Sequence, residues 1–107
     1  MIFISCAKTM AQTCPHTVPY VSEPEYLPYA EKLVKKMSVF SEDELADALK
    51  VSPRIAAENK MRYTDIMHGE AEMMPAVFAY TGVVFKHIAP QSFSATDLAY
   101  AQDHLRI

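Results

Sequence analysis

Two stretches of this chain are punctuated in nearly the same letters, Phe40-Ser41-Glu42-Asp43-Glu44-Leu45 and Phe93-Ser94-Ala95-Thr96-Asp97-Leu98. In each, the serine hydroxyl suits the amide three residues on, the acid at that position suits the serine amide, and Phe and Leu flank the pair as a hydrophobic staple. Two such starts in so short a chain make helices its main building material. The first helix runs to about Val51, where Ser52-Pro53 opens another with serine as cap and proline in the first turn. Ile55, Asn59, Arg62 or Tyr63, and Ile66 then share one face, so residues 41–66 form a helical hairpin.

The rest of the chain adds little β-structure. Only two glycines occur in 107 residues, of which half are apolar, and this disfavours both disorder and an all-β fold built on tight turns. Met1 to Ile4 is a short β-prone run, consistent with a buried strand that feeds a loop at Ser5. Thr9 to Pro19 is rich in Thr, Pro and small residues and reads as a surface connection. Pro24 and Pro28 bracket a helix start, after which Tyr29, Ala30, Leu33, Val34 and Met37 recur on one face, with Lys32, Lys35 and Lys36 opposite as a solvated face. Gly69 to Met74 is a loop. A short helix is expected from Pro75 towards Gly82, and Val83 to Ile88 fits either a strand or a turn of helix. The fold class is therefore α+β and helix-rich: a short N-terminal strand, then several helices including the hairpin, in a single domain or the N-terminal part of one over 1–107.

Composition excludes some functions. No apolar run approaches the ~20 residues of a membrane span, and MIFISC lacks a basic n-region, so no signal peptide is expected and the cytoplasm is the default location. Cys6 and Cys14 read as free, inert thiols. A nearby Lys8 would favour a reactive thiolate at Cys6, but burial is the preferred expectation. With His16 the cysteines sketch a Cys-x7-Cys-x-His cluster, yet the spacing fits none of the usual zinc patterns, so no metal site and no cofactor is assigned.

Two groups of residues offer chemistry. After the first strand, Ser5, Lys8 and Thr9 place two hydroxyls and an ammonium together, although Lys-Thr without glycines is no phosphate-binding P-loop. In the hairpin, Lys50, Arg54, Lys60 and Arg62 gather towards the second helix, while Glu42, Asp43, Glu44 and Asp47 occupy the first. Segregated charge of this kind suits DNA phosphates. It also arises from ordinary helix-dipole pairing, and a net charge of −3 weakens the long-range attraction.

The segments Ile4 to Thr9 and Phe93 to Arg106 resemble the YaaA peroxide-stress family, in which an opening strand ends Ile-Ser-Pro-Ala-Lys-Thr and a later phrase reads close to Phe-Ser-x-x-Asp-(x)-x-x-Ala-Gln-x-His-Leu-Arg. Between them Ala57, Asn59, Arg62, Ala79, Gly82 and Val84 follow the same order. Cys6 replaces the family's proline, and Phe85 and His87 stand for a tyrosine and a glycine. The resemblance implies a cytoplasmic protein that limits free iron under peroxide stress and binds DNA through a helix-hairpin-helix-like element, as a non-enzyme. It adds Ser5, Lys8, Thr9, Asn59 and Arg106 to the site candidates. An enzyme or small-molecule binder built on Ser5, Lys8 and Thr9 is the competing class. The family continues beyond these segments, so the chain is expected to be a front part. Leu98, Ala101, Leu105 and Ile107 on the last helix then call for self-association through residues 94–107.

Overall fold

The computed structural model describes residues 1–14 and 22–107. Within them the elements run β1 (Ile2–Phe3), β2 (Thr9–Met10), α1 (Leu27–Met37), α2 (Glu42–Leu49), α3 (Pro53–His68), α4 (Ala76–Ala79), β3 (Tyr80–Thr81), α5 (Val83–Ile88), α6 (Ala95–His104) and β4 (Leu105–Arg106), with a 3-10 turn at Pro90–Ser92. This is the helix-rich α+β class expected from the sequence. The chain divides into two compact units, one made of Met1–Ser22 with Met73–Ile107 and the other of Glu23–Glu72.

The contiguous unit is helical. Ser41 closes a capping box with Glu44: its hydroxyl accepts from the Glu44 amide at 3.1 Å, and its own amide donates to Glu44 Oε2 at 2.7 Å. Ser52 caps α3 by accepting from Ile55 N, and Pro53 occupies the first turn. Leu45 on α2 and Ala56 on α3 are fully buried. A methyl-sized residue on α3 lets the helices come close, and the leucine fills the space between them. Helix α2 stops earlier than its apolar pattern suggests, because Lys50 turns left-handed (φ 54°) and its amide reaches back to the carbonyls of Ala46 and Asp47. Gly69 closes α3 in the same way at φ 71°, where open space surrounds its Cα and only the backbone angle favours glycine.

Helix α1 departs from its expected orientation. Val34 and Met37 are half-buried, but Tyr29 (65%) and Leu33 (63%) face outward, and Lys32 lies 5.7 Å from the Tyr29 ring centroid. The predicted stripe is too wide for one neighbouring helix to cover.

The discontinuous unit holds two small sheets. β1 pairs in parallel with β4, Ile2 opposite Leu105 and Phe3 opposite Arg106, while β2 pairs antiparallel with β3. Its core is Phe78, Ala79 and Phe85, with the Tyr80 and Phe85 rings 5.4 Å apart. Two expectations are corrected here, and one left open is resolved. The N-terminal strand is exposed rather than buried, since among the described residues it has one neighbouring strand and Phe3 is left uncovered. Residues 83–88 choose helix, because Gly82 at φ 124° ends β3 and starts α5. The last helix stops at His104, and the chain becomes extended at Leu105–Arg106 to join β1. Ser94 and Asp97 nonetheless form the expected capping box at its start.

Candidate functional site

The hairpin distributes its cations unevenly. Lys50 and Arg54 stand on either side of the turn formed with Val51 and Ser52, their side chains 80% and 73% exposed. Each has an acidic neighbour, Asp47 at 3.7 Å from the Lys50 ammonium and Glu58 at 2.6 Å from Arg54. Such exposed pairs are weak and exchange readily for another anion.

Lys60 and Arg62 point elsewhere. The Lys60 ammonium donates to the carbonyls of Ser38 at 2.6 Å and Phe40 at 2.5 Å. It therefore closes the end of α1 and the entry to α2 from α3, a use of charge that its position in a basic cluster did not reveal. Arg62 is three-quarters covered and lies 3.8 Å from Glu58. Its charge also bears on Tyr63, whose hydroxyl burial nevertheless holds above the usual tyrosine range. Asn59 donates to the Ile55 carbonyl one turn back at 2.8 Å, so its amide serves its own helix. In the hairpin Lys50 and Arg54 thus flank one turn, each beside an acid of its own helix, while the ammonium of Lys60 turns inward.

The strand-end residues sit in the other unit. The Thr9 hydroxyl accepts from Thr81 Oγ1 at 2.8 Å and lies 3.3 Å from the Thr81 carbonyl, making a cross-strand rung of β2–β3. Ser5 and Cys6 are exposed, and Cys14 is half-buried. Cys6 was expected to be buried; it follows a two-residue strand whose own side chains are exposed. Neither cysteine forms a disulfide. His16 lies outside the described residues, and among those described no cluster of His, Cys, Asp and Glu is arranged to hold a metal ion. The Arg106 guanidinium donates to the carbonyls of Gln102 and Leu105, both at 2.8 Å. His104 stacks on Tyr100, their ring centroids 3.9 Å apart.

A cavity of about 650 Å³ opens beside β3, with Thr13, Tyr80, Thr81, Lys86 and Gln91 as its polar lining and Phe78 and Phe85 among its apolar wall. Neither Ser5, Lys8 nor Thr9 lines it. Tyr80 is held neutral above its ordinary range, chiefly by burial and further by the neighbouring Cys6. These lining groups come from separate segments with no shared spacing, so no sequence motif announces them.

A two-helix hairpin with basic groups at its turn, joined to a small α+β unit, defines the architecture. The description of the peroxide stress protein YaaA family fits residues 1–107, and the chain belongs to that family. It is 46% identical over 107 residues to a UPF0246 protein of Phocaeicola vulgatus and 44% identical to one of Bacteroides fragilis. In both cases the match takes in all of this chain but 42% of the relative. No helix among the described residues is long and apolar enough to cross a membrane.

Proposed function

We propose that this chain supplies the DNA-holding part of a cytoplasmic peroxide-stress protein, gripping backbone phosphates at the α2–α3 turn. The protein's action against peroxide, through limiting free iron and shielding DNA, would follow from that placement. The observation that carries the reading is the pair Lys50 and Arg54, exposed on either side of one tight turn while the ammonium of Lys60 is occupied inward. The turn precedes the N-terminal end of α3, a helix of 16 residues, whose dipole adds to the attraction for a phosphate between the two side chains. Lys50 adopts the left-handed conformation that glycine takes most easily, so a cation stands at the reversal itself.

No base-reading side chain is required, so retention depends on salt and little on sequence. The test is a salt titration of duplex binding by the protein with Lys50→Gln and Arg54→Gln combined. About one unit of log–log salt slope disappears for each lost phosphate contact, so a fall of roughly two is expected. An unchanged slope in a variant with unaltered helix content refutes the assignment.

A further inference from the structure

The parallel pair β1–β4 is the least self-sufficient piece of the discontinuous unit. Parallel strands normally have both faces covered, and an isolated pair needs a third strand or a packed helix to be stable. The register Ile2↔Leu105 and Phe3↔Arg106 puts Phe3 and Arg106 on one face and Ile2 and Leu105 on the other. Ile2 is 54% exposed and Phe3 76%. Arg106 gives no shelter, because its guanidinium is bonded to the Gln102 and Leu105 carbonyls. Among the described residues each strand has one neighbour, so each also presents an outer edge. Edges that must remain alone carry lysine, proline or a bulge, and Met1-Ile2-Phe3-Ile4 carries neither residue.

The relatives say what kind of chain belongs there. They match this chain throughout, and the match is only 42% of their length, so the larger part of each is polypeptide with no counterpart here. We infer that β1–β4 is an acceptor edge for that remainder: a strand from it extends the pair, and its apolar side chains cover Phe3. Main-chain hydrogen bonds supply the affinity, and the alternation of apolar side chains beside Phe3 sets the register. The inference concerns the discontinuous unit and stands apart from the hairpin's phosphate contacts.

The test compares this chain alone with the Phocaeicola vulgatus relative whose matched region has been replaced by this chain. Amides of Ile2 to Ile4 should exchange at least about tenfold more slowly in the longer protein. Phe3→Glu should lower the longer protein's thermal midpoint by roughly 5 °C or more and move that of the short chain by less than about 1 °C. If Phe3→Glu prevents folding of the longer protein, Phe3→Ala should give the same contrast at smaller size. Equal exchange in the two proteins, or equal midpoint shifts, overturns the inference. So does a short chain that sediments as a dimer with these amides already protected, which would give the edge to a second copy.

Discussion

Removing the Lys60 ammonium tests whether this cation is structural. In Lys60→Met the aliphatic stem remains packed, but the carbonyls of Ser38 and Phe40 lose a donor at 2.6 and 2.5 Å. A hydrogen bond to a charged group contributes about 1.5–3 kcal/mol net, which for two would give about 3–6 kcal/mol. Lys60 is half-buried, so water reaches part of the site and replaces some of the loss. About 2 kcal/mol is the resulting expectation, a substantial fraction of the ~5–15 kcal/mol of a small protein. With a urea dependence of about 2 kcal/mol/M, the unfolding midpoint followed by circular dichroism should fall by about 1 M at unchanged slope. Lys60→Gln, which keeps two N–H donors on a shorter stem, should recover part of the loss. A Lys60→Met protein within about 0.3 M of wild type would refute the reasoning. So would normal stability with impaired DNA retention, since that would return Lys60 to the phosphate-binding group.

Two further substitutions probe local structure. Asp97 accepts from the Ser94 amide at 2.9 Å, and the backbone and hydroxyl bonds to Ser94 hold its carboxyl below the ordinary aspartate range. A lowered folded pKa stabilises above the ordinary value and loses that contribution as pH falls through the folded one, so wild type should lose stability below about pH 4 more steeply than Asp97→Asn. Identical acid profiles would dismiss the capping role. Ala89 is held left-handed at φ 49°, a conformation that costs a side chain roughly 1–2 kcal/mol. Ala89→Gly should therefore raise stability by about 0.5–1 kcal/mol, read as a higher thermal midpoint; no rise would count against strain at this position.

What the sequence made legible is what is written in local chemistry. The boxes at Ser41 and Ser94 and the Ser52-Pro53 start need only residues within one helical turn, and all formed. Left-handed Lys50 was not legible, because lysine carries no mark of that conformation; the reversal is forced where α2 must return as α3. The division of labour among the hairpin cations was equally hidden. Lys60 meets carbonyls twenty and more residues earlier, whereas Arg54 and Lys50 meet acids on their own turns. Residues 105–106 looked like the last turn of a helix because their apolar spacing continues it, and only pairing with residues 2–3 makes them strand. The cavity beside β3 draws on residues from 11 to 91, a set that periodicity cannot assemble.

The placement of β1 against β4 also fixes an order of events as the chain is made. Residues 2–3 leave the ribosome well before their partners at 105–106, with everything between them emerging in the interval. The helices of 23–72 are contiguous in sequence, make short-range contacts and need no distant segment, so they form early. The two halves of the other unit lie on either side of that module in sequence, so their pairing closes a long loop and comes later. Throughout this interval Met1-Ile2-Phe3-Ile4 travels as an uncovered apolar strand, the kind of segment that chaperones engage and that aggregates when synthesis outpaces closure.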